Sequence, residues 1–250
     1  MYSNDDYQIK EWSNPLEKLR GKWSEVPAGD GRVRTTDLHN YSDGELMDFW
    51  NLTRMNDTTG NSFNVRGWYH CLYNTAFRHK KLMDVGSGLG IDGITFAQCG
   101  SEVTFVDIVE SNLELLRRIC ALFKLENVKF HYLKDFDTLG SLSYDYDVIW
   151  CQGSMINLPY KIAAEESKSL LEHLPIGGRW IELAYPKERW VAEGKLPFEK
   201  WGSKTDGGAP WIEWYDLEKL LDRLSPSQFN VILNFNFHND DFNWFDLVRL

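Results

Sequence analysis

The chain has 250 residues, of which 43% are hydrophobic and 26% are charged, a composition typical of one globular α/β domain with additions. Its 11 Trp, 11 Tyr and 14 Phe provide enough large apolar side chains for a sizeable core, which excludes wholesale disorder. The 27 Lys and Arg against 37 Asp and Glu give a net charge of -10, which argues against nucleic acid as the default partner.

The cysteines and the first residues bear on the cellular location. No two cysteines form a Cys-x-x-Cys pair, a spacing that favours reduced, buried thiols over a disulfide framework or a zinc site. Residues 1–10 contain no basic region followed by an apolar run, and no stretch approaches the roughly 20 apolar residues that cross a bilayer. We therefore expect a cytoplasmic protein without a membrane segment, and the sequence leaves the oligomeric state open.

The first 78 residues are polar and weakly periodic, and we expect them to form a helical lid or cap. Helices are predicted over residues 45–52 and 68–77. The polar stretch 56–61 between them is predicted to be a loop.

From residue 79 onward, apolar strand-like runs alternate with helical spacing. Strands are predicted at 81–85, 102–106, 128–133, 146–151 and 179–184, and helices at 91–98, 112–125, 162–174 and 217–224. This alternation implies right-handed βαβ units. Two further strands, 229–237 and 242–250, are separated by four residues and must form an antiparallel hairpin. The predicted fold class is therefore α/β: a Rossmann-like, seven-stranded, mostly parallel sheet with helices on both faces and a C-terminal antiparallel hairpin, in one domain over residues 79–250.

A glycine-rich segment, Asp84-Val85-Gly86-Ser87-Gly88-Leu89-Gly90, connects the first strand of this sheet to the following helix. Alternating glycines let the backbone approach a ligand closely, and the free N–H groups of the helix N-terminus face that ligand. Asp107 follows the next strand, where a carboxylate can accept both hydroxyls of a ribose. Together these features indicate a nucleoside-containing cofactor.

The glycines fit two patterns, which lead to different cofactors. Gly88, Gly90 and Gly93 satisfy the dinucleotide pattern G-x-G-x-x-G. The other pattern, D-x-G-x-G-x-G, begins at Asp84 and includes Gly86. The Asp84 carboxylate would repel a dinucleotide phosphate but attract the ammonium of an amino-acid tail. We therefore favour a positively charged sulfonium cofactor over a nicotinamide dinucleotide.

With these motifs, residues 80–185 resemble the class I S-adenosylmethionine-dependent methyltransferases. The resemblance rests on the glycine-rich segment, on Asp107, on Lys134-Asp135-Phe136 after the third strand, and on residues 147–154 at the end of the fourth strand. It implies S-adenosyl-L-methionine as the cofactor and methyl transfer as the activity. It also implies that the methionine part of the cofactor is held by Asp84, Gly86, Ser87, Gly88 and Gly90, and that the reacting methyl group is bordered by Gln152 and Gly153.

The resemblance further implies how the nucleoside part would be bound. Asp107 would hold the ribose, and Ile108 would pack on the adenine. Asp135 would hydrogen-bond the adenine amino group while Phe136 covers the ring. Local structural roles stay open as alternatives: a helix cap or solvated strand end for Asp107, and an ordinary polar-aromatic pair for Asp135 and Phe136.

Candidate catalytic residues are few. We find no Ser-His-Asp arrangement and no metal-ligand spacing, so neither hydrolysis nor a metal is inferred. A general base is required only where the acceptor must first lose a proton. His70, shortly before the first strand of the sheet, is the candidate base, and Tyr185, just beyond the fifth strand, is a second candidate to face the acceptor.

Acceptor-binding candidates come from two regions. In the resembling family the amino-terminal region often folds over the cofactor, which makes Arg54, Arg66 and Tyr69 candidates. An aromatic-rich insertion at about 186–215 is too long for a tight connection, and its Trp190 and Trp201 are candidates to stack on an acceptor. A local hydrophobic cluster in this insertion is an equal alternative.

The expected function is S-adenosylmethionine-dependent methyl transfer to a small-molecule acceptor, an O- or N-methylation of a sugar, a natural-product intermediate or a small amine. Two alternatives remain. A nicotinamide-dependent oxidoreductase would use the other glycine pattern, but no Tyr-x-x-x-Lys pair begins at Tyr160, because Ala164 occupies the fourth position after it. The other alternative is a nonenzymatic module that keeps the cofactor pocket for structure or regulation.

Overall fold

The computed structural model describes residues 15–28, 31–205 and 207–250. Residues 1–10, in which no secretory signal is expected, and the start of the predicted lid lie outside these ranges. Before the main sheet, the described elements are α1 (Pro15–Trp23), β1 (Glu25–Ala28), β2 (Gly31–Arg34), α2 (Thr35–His39), α3 (Asp43–Thr58) and α4 (Gly67–Ala76). Strands β1 and β2 pair with each other as a small antiparallel hairpin.

The loop predicted at residues 56–61 is wrong. Helix α3 continues to Thr58, and a 3-10 helix, Gly60–Asn64, follows almost at once. The helix begins at a capping box in which Ser42 and Glu45 each bind the other's backbone N–H. At its other end, the Thr58 hydroxyl donates to the Arg54 carbonyl oxygen at 2.7 Å, so the polar side chains that suggested a loop bond within the helix instead.

The main sheet confirms the predicted fold class. Its strands are β3 (Lys81–Val85), β4 (Glu102–Asp107), β5 (Val128–Tyr132), β6 (Val148–Gln152), β7 (Arg179–Ala184), β8 (Phe229–Phe237) and β9 (Phe242–Arg249). Their spatial order is β5-β4-β3-β6-β7-β9-β8. Strands β3 to β7 run parallel, and β9 is antiparallel to both of its neighbours.

Helices cover this sheet, which is why its central strands are continuous apolar runs. They are α5 (Ile91–Gln98), α6 (Glu110–Leu122), α7 (Tyr160–Leu171), α8 (Lys187–Ala192), α9 (Phe198–Lys204) and α10 (Leu217–Arg223). Successive side chains of β6 enter different core clusters, with Ile149 in one and Trp150 in the other, and both are fully buried. No helix in the described ranges has the length and apolarity that a membrane span requires.

The strand order fixes where a ligand would bind. Strand β3 lies between β4 and β6, so the chain leaves β3 towards one edge of the sheet and later returns to its other side. The connections on either side of β3 therefore diverge and leave a crevice at the carboxyl ends of these strands. The glycine-rich segment lies at this crevice.

Candidate cofactor site

A cavity of about 370 Å³ opens at the carboxyl ends of β3, β4 and β6. This volume is within the range of small-molecule sites. The structure brings ten of the predicted site residues to its wall: Arg66, Asp84, Gly86, Ser87, Gly88, Asp107, Ile108, Gln152, Gly153 and Tyr185. Residues far apart in the sequence therefore share one cavity, and no group of three or more His, Cys, Asp or Glu side chains within the described ranges is arranged to hold a metal ion.

The three glycines of the glycine-rich segment have different structural roles. Each has a positive φ, 73° at Gly86, 53° at Gly88 and 66° at Gly90, which strains other residues. A Cβ at Gly86 would lie 2.4 Å from the Cβ of Ser154, and a Cβ at Gly90 would lie 2.5 Å from Leu116. Gly88 has no atom within 4 Å of a Cβ position, so its backbone is open to a ligand. Gly90 is a packing residue that does not line the cavity.

Asp107 is held rigidly at the end of β4. The backbone N–H of Val109 donates to its Oδ1 at 2.8 Å, and that of Gly88 donates to its Oδ2 at 3.2 Å. Burial raises the pKa of the Asp107 carboxyl to about 6, although both hydrogen bonds oppose the shift. The N-cap of α6 is Val109, so Asp107 is not the helix cap. Its carboxylate, fixed at the cavity wall, is placed to accept the hydroxyls of a ribose.

Asp84 lies beneath the glycine-rich segment and is only 4% exposed. Burial, with the nearby Asp92 adding to it, raises the pKa of the Asp84 carboxyl well above its usual value, while Arg66 opposes the shift. A Cβ at Gly93 would lie 2.6 Å from Oδ2 of Asp84 and 2.4 Å from the ring of Phe105. Gly93, the last glycine of the dinucleotide pattern, is thus explained by the space that the carboxylate and the ring occupy.

Sequence reasoning missed Asp92, the acceptor of a buried network next to the cavity. His70 Nε2 lies 2.7 Å from Oδ1 of Asp92, and the Tyr69 hydroxyl donates to the same oxygen at 3.3 Å. The Trp150 indole N–H donates to Oδ2 at 3.2 Å. Arg66 adds a longer contact of 3.4 Å. Burial alone would raise the pKa of the Asp92 carboxyl, but Arg66 and His70 outweigh it and lower the pKa to about 2. A lone Asp within the apolar helix IDGITFAQ was the available signal.

Helix α1 closes the end of the cavity near β4 and β5, and sequence reasoning missed this too. Leu16, Leu19 and Trp23 of α1 line the cavity together with Ile108 and Leu133. Arg20 attaches the helix: its Nε donates to the Ile108 carbonyl oxygen at 2.9 Å, and its Nη2 donates to that of Leu133 at 3.1 Å and to that of Lys134. These side chains form an apolar slot in the cavity, the α1 slot, whose surface can contact an adenine ring.

No family model and no curated protein matches this sequence. Among solved structures, the PH0226 protein of Pyrococcus horikoshii is similar with a TM-score of 0.61 and 13% identity, over 81% of this chain and 99% of that one. Magnesium protoporphyrin IX methyltransferase of Synechocystis with bound SAH has a TM-score of 0.56 and 18% identity, over 84% of this chain and 100% of that one. This chain has the class I methyltransferase fold. The 4+2 cyclase SpnF also resembles it, with a TM-score of 0.53 and 17% identity over 70% of this chain and 60% of that one.

Several predicted residues lie outside the cavity of this class I methyltransferase fold. Asp135 is exposed, and its side chain accepts the Thr138 N–H at 3.1 Å to cap the 3-10 helix Phe136–Ser141. Phe136 is half-buried against the core. His70 and Tyr69 point to Asp92 and do not line the cavity. Asp135 and Phe136 thus do not line the cavity, and their contact with an adenine stays a prediction.

The remaining acceptor candidates are also away from the cavity. Arg54 lies over the Trp50 ring at 5.7 Å. Trp190 and Trp201 are buried in the insertion, where their indole N–H groups donate to the Leu196 carbonyl oxygen at 2.8 Å and to Glu193 at 2.7 Å. Both side chains belong to the core cluster that also contains Ile149 of the sheet, so they pack in the shared core and not in a separate local cluster.

The end of the cavity beyond Gln152 is formed by β7, the loop after β6 and the C-terminal hairpin. Its wall includes Tyr185, Asn157, Leu158 and Phe242. Gln152 Nε2 and Asn157 Oδ1 are buried and have no hydrogen-bond partner among the described residues. Buried polar atoms without partners are uncommon, and a ligand is one way to satisfy them. The donors, acceptors and open glycine backbone along this cavity therefore fit an elongated nucleoside with an amino-acid tail.

Proposed function

We propose that the protein transfers a methyl group from S-adenosylmethionine to a small-molecule acceptor. The observation that carries this proposal is the fixed carboxylate of Asp107 in one cavity with Asp84 and the open backbone of Gly88. When bound, S-adenosylmethionine supplies a methyl carbon on a positively charged sulfur. The presence of SAH in the Synechocystis methyltransferase of similar fold supports the same cofactor here.

Different residues of this chain bind different parts of the cofactor. Asp107 accepts the ribose hydroxyls, and the α1 slot with Ile108 covers the adenine. Asp84 faces the ammonium of the methionine tail, and the guanidinium of Arg66 is the cation available to the carboxylate of that tail. The same Asp84 would meet the phosphates of a dinucleotide, where like charge is unfavourable. Charge therefore favours a sulfonium nucleoside over the nicotinamide alternative.

Alignment is the main contribution that these residues make to the chemistry. Holding donor and acceptor in line makes the bimolecular step effectively unimolecular. This lowers the free-energy barrier by up to roughly 7–11 kcal/mol. The wall formed by Tyr185, Leu158 and Phe242 limits the acceptor to what fits beside Gln152. The small cavity and the net charge of -10 support a small molecule over a nucleic acid as the acceptor.

Calorimetric titration tests the cofactor. We expect SAM and SAH to bind to the purified chain and NADH to give no heat. Binding of NADH without binding of SAM would support the oxidoreductase alternative and contradict the proposal. Because a cyclase shares this fold, catalysis needs its own test: mass spectrometry of reactions with SAM and metabolite mixtures should detect products heavier by one methylene group, and cofactor binding without any such product would favour a nonenzymatic module.

A further inference from the structure

Glu166 is a buried carboxylate of the cavity that the functions assigned so far leave unused. It lies in the second turn of α7, is 5% exposed and lines the same cavity as the glycine-rich segment. Its carboxylate receives no hydrogen bond and forms no ion pair among the described residues, whereas exposed Glu165 beside it faces solvent. A buried charge without a partner is costly, so such a group usually has a functional reason.

The groups around Glu166 do not neutralise it. Arg223 of α10 lowers the pKa of Glu166 by its charge, but its Nη1 donates to Glu182 of β7 at 3.1 Å and its Nη2 binds the other oxygen of the same carboxylate. Cys151 of β6 also lies in this environment. Burial raises the pKa of Glu166 to about 7, with Glu182 adding to the shift and Arg223 opposing it.

The other carboxylates of the cavity already have partners or assigned roles. Glu25 pairs with Lys22. Asp92 pairs with His70 and Arg66, and Asp57 lies 3.9 Å from Nε of the same Arg66. The proposed cofactor would occupy Asp84 and Asp107. Arg66 is the one cationic side chain of the described cavity wall. Even with a cofactor in place, the cavity wall therefore keeps a carboxyl group without a partner at Glu166.

We propose that the acceptor is an amine, that it enters the cavity as an ammonium ion, and that Glu166 binds this ion and takes its proton. This inference rests on the methyltransferase function proposed above. An anionic acceptor, such as a carboxylate or a phosphate, would be repelled by Glu166. An ammonium supplies both the positive charge and the hydrogen-bond donors that its carboxylate lacks.

The reaction balances with the groups named. One N–H proton of the ammonium moves to the Glu166 carboxylate, which leaves a neutral amine with a free electron pair. That pair forms the new N–C bond to the methyl carbon while the C–S bond breaks. The two electrons of the broken C–S bond remain on sulfur. The products are a methylated ammonium and the neutral thioether SAH, and Glu166 returns its proton to water after they leave.

Paired acceptors test this inference in the full chain. We would incubate the protein and SAM with tyramine, benzylamine and putrescine, and with the alcohols that match them: tyrosol, benzyl alcohol and 1,4-butanediol. We expect mass spectrometry to show methylation of at least one amine and of none of the matched alcohols. Its kcat/KM should rise with pH through about 7, as Glu166 loses its proton.

Variants of Glu166 then separate a proton acceptor from a structural carboxylate. We expect Glu166→Gln to lower kcat/KM for that amine at least tenfold and to remove the rise near pH 7, and Glu166→Asp to retain the rise. Glu165→Gln, on the same helix but exposed, should match the native chain. Affinity for SAH should stay within twofold in all three variants.

The outcomes also separate this inference from the function on which it rests. Methylation of an alcohol in preference to its amine, unchanged turnover in Glu166→Gln, or no transfer to any of the three amines despite SAH binding would overturn the amine assignment alone. Failure of SAM and SAH to bind would overturn the proposed methyltransferase function itself.

Discussion

The Nε2 atom of His70 lies 2.7 Å from Oδ1 of Asp92, and both residues are buried. Because the pKa of Asp92 is lowered to about 2, its carboxylate is an acceptor at neutral pH, and Nε2 of His70 must carry the proton of this bond. The contact joins α4, before the sheet, to the first turn of α5, directly after the glycine-rich segment. His70 therefore connects α4 to a residue of the cavity wall without lining the cavity itself, and its role as a general base stays a prediction.

Replacing His70 by Ala should mainly affect folding. The change leaves Asp92 with one donor fewer in a buried site, and loss of such a charge-assisted bond costs about 1.5–3 kcal/mol. Urea denaturation should show this decrease in the free energy of unfolding, while Thr75→Ala, exposed on the same helix, should change little. If His70→Ala is as stable as the native chain but loses turnover, His70 acts as the general base.

Replacing Asp107 by Ala should weaken SAH binding by roughly 1.5–3 kcal/mol, about 10- to 150-fold in Kd, because the charged acceptor for the ribose hydroxyls is lost. Asp135→Ala is the matched comparison, because family resemblance assigns Asp135 to the adenine whereas the structure places it in a local cap. We expect calorimetry to show less than a twofold change for Asp135→Ala. The reverse ranking of the two variants would contradict the binding mode.

Cofactor affinity should depend on pH through Asp107. Its pKa is raised to about 6 in the free protein, so the carboxylate is charged above pH 7 and gains a proton as the pH falls through 6. A protonated Asp107 accepts ribose hydroxyls less well, and SAH affinity should therefore be constant from pH 7 to 8 and fall below 6. Calorimetry of the native chain and Asp107→Asn checks this: the variant should lose the change near pH 6, and an unchanged profile would exclude Asp107 as its source.

Replacing Glu166 by Gln should stabilise the free protein at high pH. Burial raises the pKa of Glu166 from about 4.5 to about 7, so the folded state holds this proton more tightly than the unfolded state. The stability that Glu166 contributes as a neutral acid is complete below pH 4.5 and is lost as the pH rises through 7. At pH 8 the variant should exceed the native chain by up to roughly 3 kcal/mol in urea denaturation. At pH 5 the difference should be small, and a variant less stable at pH 8 would contradict the burial of an unpaired charge.

The sheet could be predicted from sequence because its signals are local. Strands β3 and β7 match their predicted bounds, since β3 runs into the glycine-rich segment and β7 begins directly after a turn. The position of Asp107 beside Gly88 was also predictable, because both follow neighbouring parallel strands. Polar residues of helix α3 were misjudged, since their bonds within the helix depend on its cap and not on composition.

Other parts of the site depend on contacts between distant segments, which one sequence does not show. Arg20 binds carbonyl oxygens 88 and 113 residues further along the chain, and nothing in its own neighbourhood predicts this. Glu166 occupies an ordinary helical position, and only the packing of β7 and α10 leaves it without a partner. Conversely, Trp190 and Trp201 were candidates because they are aromatic, but both are buried in the core cluster that the insertion shares with the sheet.

A crystal structure of the chain with SAH tests the central claim most directly. We predict that the ribose hydroxyls lie within hydrogen-bond distance of the Asp107 carboxylate, that the adenine lies between Ile108 and α1, and that the amino group of the tail faces Asp84. SAH bound elsewhere, or a dinucleotide whose diphosphate lies against Gly86 and Gly88, would contradict the account.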